Sequence, residues 1–357
     1  MTDGIRILLV ADSHLGFDLP VRPRVERRRR GHDFLANYST ALAPAFAGEV
    51  DVVVHGGDVF DRSKVVPTVA YQALEPLARI ADLGVPVFIV PGNHERSRLP
   101  HMRFASHPGV HVFDRARTWT VNVRGTMIAI AGFPYQRDAR RSFPAVLEET
   151  GWRREEADVR VLCIHQCVEG ATVGPVNYTF TSAQDVVRLR DVPSGFAAVL
   201  SGHIHRHQVL TCDLAGRPLE TPVLYPGSIE RTSAAEIGEP KGFMVLDVVA
   251  TGARWEFREL PARPMIRKEL SVESQSESAL AAAVHAIISA APADAVLSIR
   301  LTGELTDAQW KVLSTARLRA MAPVTMNVDV TPVGRFVRPS NTRQREVSDA
   351  TDVQLSL

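Results

Sequence analysis

Three cysteines in 357 residues, Cys163, Cys167 and Cys212, exclude a disulfide framework, since the number is odd and no paired spacing occurs. Cys163 lies in an apolar run and reads as a small core residue. A reducing cytoplasm fits this usage. Lysine is scarce as well: Lys64, Lys241, Lys268 and Lys311 are all there is, and the other basic residues are arginine. That bias reads as GC-rich coding, although the planar arginine fork also suits phosphate. An excess of charge is missing too, with 41 basic residues against 40 acidic ones. No global positive field advertises nucleic acid, so any such binding rests on local patches. No apolar run reaches membrane-spanning length. The first run, residues 5–11, is too short and wrongly flanked for a secretory signal. No internal repeat is visible. What remains is a chain with 45% hydrophobic residues, enough for a sizeable core, and a length that suits about two domains.

The apolar runs fall in a regular order. Residues 5–11 read as a buried strand, 32–47 as a helix, and 51–55 as a second strand. Pro67 opens a helical pattern that Gly84 ends, and 85–90 read as a third strand. This β-α-β-α-β order implies parallel pairing with helical crossovers. Functional residues then sit at the carboxyl ends of strands. Residues 119–123 and 127–131 read as a hairpin, with a helix over 144–150 after it. Strands follow at 159–164, 197–200, 207–213, 242–248 and 255–260. A boundary falls near residues 261–264. Beyond it come a strand at 266–272, a helix at 277–290, a strand at 295–301, a capped helix from Thr306 to Met321 and an alternating strand at 324–330. The division expected is 1–262, 263–335 and a poorly ordered tail, 336–357.

The strand ends carry the chemistry. Residues 197–200 run into Gly202-His203-Ile204-His205, and on an extended backbone positions i and i+2 point the same way. Asp12-Ser13-His14 repeats that spacing after the first strand. Gly56-Gly57-Asp58 follows the second, where the glycines permit a tight turn that brings Asp58 to a ligand. Gly92-Asn93-His94 follows the third, and His165 ends a later strand. Asp12, His14, Asp58, Asn93, His165, His203 and His205 are too many ligands for one tetrahedral ion. They suit two adjacent ions with Asp58 as the bridge. A nitrogen and oxygen donor set without thiolate argues for Mn²⁺, Fe²⁺ or Zn²⁺. Such a pair would clamp a phosphoryl group and ionise a water. His94 neighbours Asn93 and does not aim easily at the same metal. It suits protonation of a leaving oxygen or stabilisation of the charged transition state, the alternative being a brace for its loop.

These stretches resemble the five motifs of the calcineurin-like metallophosphoesterase superfamily. Within it, Ala11-Asp12-Ser13-His14-Leu15-Gly16, Gly57-Asp58-Val59-Phe60-Asp61-Arg62 and Pro226-Gly227-Ser228-Ile229-Glu230-Arg231, with Lys241-Gly242-Phe243, resemble the SbcD-type DNA double-strand-break repair nucleases. The resemblance implies a four-layer α/β/β/α sandwich with a small C-terminal α/β cap over about 266–333. It implies one ion on Asp12, His14, Asp58 and His205, another on Asp58, Asn93, His165 and His203, and His94 as the catalytic histidine. Glu95 stands where many relatives have aspartate. Family members usually continue into helices that dock a coiled-coil ATPase, SbcC. Here the chain ends soon after the cap, so activity without that ATPase is expected.

The reading expected is therefore a Mn²⁺-dependent DNA nuclease, cytoplasmic, with DNA as its partner and a homodimer left open. Arg62, Arg96 and Arg98 follow ligand loops and are expected to meet backbone phosphates. Arg28 and Arg29, in an arginine-rich run from 22 to 30, are expected to extend that contact. A hydrolase for small phosphoesters and a metal-bearing scaffold without catalysis are the competing readings.

Overall fold

The computed structural model describes residues 4–18, 28–101 and 106–333. Arg22, Arg24 and Arg27 of the arginine-rich run, and the expected tail at 336–357, lie outside the described residues. In chain order the first half holds β1 (Ile5–Val10), α1 (Arg30–Phe46), β2 (Val52–His55), α2 (Pro67–Asp82), β3 (Val87–Ile89) and β4 (Val110–Val112). Next come β5 (Arg117–Val123), β6 (Thr126–Gly132), α3 (Ala139–Glu149) and β7 (Val159–His165). Four short strands follow: β8 (Cys167–Val168), β9 (Thr172–Val173), β10 (Tyr178–Thr179) and β11 (Val186–Val187). Then come β12 (Ala198–Gly202), β13 (Gln208–Cys212), β14 (Pro218–Tyr225), β15 (Gly242–Val249) and β16 (Gly252–Glu259). The remainder is β17 (Met265–Ser271), α4 (Glu277–Ala290), β18 (Val296–Thr302), α5 (Asp307–Val312), α6 (Thr315–Met321) and β19 (Asn327–Pro332).

Two six-stranded sheets form the larger part. One runs β16-β15-β1-β2-β3-β4, the other β13-β14-β12-β7-β6-β5. Strands β1 to β4 are parallel, as are β14, β12, β7 and β6, with antiparallel strands only toward the edges. The period of two along a strand sorts side chains between layers. Ile5, Ile7 and Leu9 of β1 face Val159, Val161 and Cys163 of β7 in the core between the sheets. Leu8 and Val10 turn the other way, onto Phe34, Leu42, Leu74 and Leu77 of α1 and α2. Leu162 and Ile164 of β7 turn onto Phe143 and Leu147 of α3. Helix, sheet, sheet and helix thus make the four layers that the resemblance implied.

The chain divides into two compact units. The larger contains both sheets. The smaller takes residues 262–333 with 28–30 and 233–237. Its β17, β18 and β19 form a parallel three-stranded sheet, and Leu280, Val284 and Ile288 of α4 pack on Leu297, Ile299 and Leu301 of β18.

Two expectations need correction. The helix expected at 144–150 begins five residues earlier, at Ala139. Ala139, Phe143 and Leu147 are buried at spacings of four and form the apolar stripe, so Pro144 lies inside the helix. The single helix expected from Thr306 to Met321 is two. The Thr306–Gln309 capping box is present, but Ser314 turns extended (φ −58°, ψ 144°) and starts a second helix.

Candidate metal centre

Parallel strands carry the candidate ligands to their carboxyl ends. Asp12 and His14 follow β1, Asp58 follows β2, Asn93 and His94 follow β3, His165 ends β7, and His203 and His205 follow β12. Neighbouring strands end level: Val10 pairs with His55, His55 with Ile89, and His165 with Gly202. The chain then leaves the strands in left-handed turns rather than extended. Asp12 (φ 49°), His14 (φ 43°), Asp58 (φ 49°) and His203 (φ 86°) all hold positive φ. Each such non-glycine residue is strained by roughly 1–3 kcal/mol, held only because the surroundings impose it. Extended i, i+2 geometry is therefore not what aligns these side chains. Gly57 (φ 107°) is needed for two reasons, since a Cβ there would also overlap the His165 ring.

The left-handed turn at His203 separates the two histidines of the Gly202-His203-Ile204-His205 stretch. His205 meets His14, their Nε2 atoms 2.9 Å apart. His203 meets Asn93, with Nδ1 3.0 Å from Oδ1, and His165 Nε2 lies 3.0 Å from that same oxygen. Asp58 Oδ2 is 3.3 Å from His165 Nε2. Three groups have donor atoms within 4.8 Å of one another and could hold a metal ion: Asp12 with His14 and His205, Asp12 with Asp58 and His165, and His14 with Asp58 and His94. All seven expected ligands thus converge, and His94 joins one of the groups.

Hydrogen bonds on the far sides orient these donors. His165 donates from Nδ1 to the Gly56 carbonyl at 2.8 Å, which leaves Nε2 as the donor atom. His203 N–H donates to both Asp12 oxygens, at 3.0 and 3.1 Å. His94 N–H donates to Asp58 Oδ1 at 3.0 Å. Thr232 Oγ1 lies 3.2 Å from His205 Nδ1. Burial pushes the Asp12 carboxyl up, against the pull of His165 and His205. Burial acts the same way on Asp58, but there the His165 charge wins and holds it below the usual carboxylate range. On His165 burial opposes the charge, yet Asp58 outweighs it and raises the imidazole to about 9. His203 is pushed down to about 3 by burial and then by His165. Buried charges are paired or hold metal. Two buried carboxylates among converging imidazoles fit divalent ions with a preference for mixed nitrogen and oxygen donors.

Several residues hold this site in ways that the sequence alone did not show. Glu95, buried, accepts the N–H groups of Phe60 at 2.8 Å and Gly92 at 2.7 Å, and so ties the Asp58 loop to the Asn93 loop. Burial and then Asp58 push its carboxyl up to about 8. Lys241, fully buried, donates to the His205 carbonyl at 2.8 Å and to Glu239 at 3.2 Å, while Glu239 also receives Arg206 at 2.9 Å. Ser228 N–H donates to the same His205 carbonyl at 3.0 Å. The stretches around 226–231 and 241–243, noted earlier only for their resemblance, thus hold the His205 loop. Tyr135, in the turn after β6, sets its ring 5.6 Å from His203 and 6.2 Å from His165. An aromatic residue just past a strand end was the available signal.

The arginines are placed differently. Arg96 and Arg98 are exposed and line a cavity of about 460 Å³ with Ser63, Leu99 and His101. Arg62 is exposed and paired with Asp61 at 3.1 Å. Arg28 and Arg29 belong to the smaller unit, where Arg28 N–H donates to the Val324 carbonyl and its own carbonyl accepts from Asn327.

The chain is 29% identical over 274 residues to the DNA double-strand break repair protein Mre11 of Haloferax volcanii, covering 75% of this chain and 55% of that one. The same protein of Methanosarcina acetivorans is 26% identical over 270 residues, covering 74% and 40%. That of Aeropyrum pernix is 23% identical over 285 residues, covering 75% and 64%. The chain therefore spans less than two thirds of the length of these relatives. Among solved structures, a dimetal phosphatase from Danio rerio matches 72% of this chain and 100% of its own at 12% identity, with a TM-score of 0.42. Residues 5–207, more than half of the chain, match the calcineurin-like phosphoesterase family, and the protein belongs to it.

Proposed function

We propose that this phosphoesterase is a metal-dependent DNA repair nuclease that hydrolyses phosphodiester bonds. The observation that carries the reading is the convergence of seven nitrogen and oxygen donors from five strand ends, with a half-exposed histidine beside them. Asp12, His14, Asp58 and His205 would hold one divalent ion, and Asp58, Asn93, His165 and His203 the other; the donors suit Mn²⁺, Fe²⁺ or Zn²⁺, and the resemblance to SbcD-type nucleases favours Mn²⁺. When bound, such a pair ionises a water and neutralises charge on the phosphoryl group. The chain supplies the rest. His94 donates from Nδ1 to the Asp61 carbonyl at 2.6 Å, so Nε2 is the atom that can carry a proton to the leaving oxygen. Its side chain is 38% exposed against 3% for Asp58, which suits a group that meets substrate. The ion groups include His94 as well, and its role is decided by separating turnover from metal content.

Similarity to Mre11 proteins supports DNA as the substrate, as do Arg62, Arg96 and Arg98 on the loops after Asp58 and Asn93. Residues 1–262 serve as the nuclease domain in this reading and 263–335 as a cap, with Arg28 and Arg29 as further phosphate contacts. A coiled-coil ATPase of the SbcC type is a candidate partner and a homodimer a candidate assembly. No described helix is long and apolar enough to cross a membrane, and Cys163 and Cys167 are free and buried; a cytoplasmic setting suits both. The test is digestion of end-labelled single- and double-stranded DNA with Mn²⁺, beside a small chromogenic diester. Cleavage of DNA is expected. Rapid turnover of small diesters with no DNA digested would replace this reading with a small-substrate phosphodiesterase.

A further inference from the structure

The turn after β6 carries two aromatic residues with opposite fates. Phe133 is buried and packs on Phe143, ring centroids 5.9 Å apart, in the core beneath α3. Tyr135, two residues on, belongs to none of the hydrophobic cores and stays half-buried. Its ring lies 5.6 Å from that of His203, tilted 39°, and 6.2 Å from His165, edge-on at 74°. The backbone fixes that ring relative to His94. Tyr135 N–H donates to the Pro91 carbonyl at 3.0 Å, and the Tyr135 carbonyl accepts from Ser97 Oγ at 2.7 Å. Pro91 and Ser97 flank Asn93 and His94, so one turn is pinned to both sides of that loop. Arg137, next but one, is exposed, and its positive charge acts on the same phenol together with the stronger negative charge of Asp185. A pinned, half-exposed aromatic ring beside a phosphoryl site is a platform on which a base of single-stranded nucleic acid stacks without regard to sequence.

We infer that Tyr135 holds the nucleoside on one side of the scissile phosphate by stacking on its base. This rests on the nuclease reading above and adds a specificity-determining residue to it. Stacking requires the ring and not the hydroxyl, and it requires a base at one fixed position of the strand.

The experiment pairs Y135F and Y135A with oligonucleotides in which a single abasic nucleotide is stepped past the cleavage point. The full-length Mn²⁺-loaded protein is used, with metal per chain measured for each variant. On intact DNA, Y135A is expected to raise KM roughly tenfold, the scale of one lost base stack, with a smaller change in kcat. Y135F should match the wild type. An abasic nucleotide at one flanking position should weaken the wild type by a similar factor and leave Y135A unchanged there. If the two losses multiply at every position, stacking is absent. A Y135F that falls as far as Y135A assigns the role to the hydroxyl, and loss of metal in Y135A makes the ring a structural brace; either result overturns the inference. Should the wild type cut no DNA at all, the nuclease reading fails first and this inference with it. A wild type that cuts DNA while the losses multiply sinks only the inference.

Discussion

At the scale of single residues, His94 and Glu95 sit side by side and do separate things. His94 reaches out of the loop and Glu95 back into the protein, so their substitution should be distinguishable. His94→Ala or His94→Asn is expected to lower turnover about 10²–10⁴-fold, the range for a lost general acid, with metal content near wild type. Elemental analysis beside kinetics checks this, and metal lost in step with activity would make His94 a ligand or brace. Glu95→Ala should instead act on stability. It strands the buried N–H groups of Phe60 and Gly92, and each buried donor left without an acceptor costs about 1–3 kcal/mol. Chemical denaturation is expected to show a loss of roughly 2 kcal/mol or more, and an unchanged midpoint would mean other groups tie the two loops. The place of His94 beside the donors was legible in the sequence, because it follows a strand-end asparagine; its role awaits the variants above. Glu95 was not legible, because its role is to accept two N–H groups 35 and 3 positions away, and only the folded chain brings Phe60 to it.

At the scale of elements, His111 of β4 shows how burial sets a pH dependence. Its ring stacks on Phe88 of β3 at 4.8 Å and tilts over Trp119 of β5 at 4.6 Å. Burial lowers its affinity for a proton. The unfolded chain takes up that proton near pH ~6.5 while the folded chain resists it, so the contribution to stability is full above that value. It is lost as pH falls from there through the depressed folded value. His111→Phe keeps the aromatic packing and removes the titration. The variant should therefore lose less stability than the wild type between about pH 7.5 and about pH 5, by denaturation at both values, up to ~1.4 kcal/mol per unit of depressed pKa. Equal losses would show that this imidazole is not what titrates. The elements themselves were largely legible. Alternation of Ile5, Ile7 and Leu9 with Leu8 and Val10 marks a strand buried on both faces, and both faces proved to be covered. The α5–α6 break was not, because Ser314 is tolerated inside a helix and only its extended backbone reveals the stop. The left-handed turns at Asp12 and His203 were hidden for the same reason, since aspartate and histidine adopt either conformation and tertiary contacts decide.

At the scale of the whole chain, near-zero net charge means that the proposed affinity for DNA would come from a few placed cations, and this makes it open to test. Arg96 and Arg98 are the strongest candidates, being exposed on the loop that carries Asn93 and His94 and lining the same cavity. Each backbone phosphate neutralised releases counterions, which gives a log–log salt dependence of about −0.7 per contact on single strands. Replacing both arginines with alanine should weaken binding at low salt and flatten the slope by roughly one to two contacts. Hydrolysis of a small diester, which has no neighbouring phosphate to hold, should fall far less than cleavage of DNA. The measurement is binding of a labelled oligonucleotide across a salt series, with rates on both substrates. Equal loss on DNA and on the small diester would mean that the two arginines support the loop under Asn93 rather than the strand. An unchanged slope with weaker binding would mean they contact bases or sugars. In that case the phosphate contacts must be sought elsewhere, beginning with Arg62, whose side chain is 73% exposed beside Asp61.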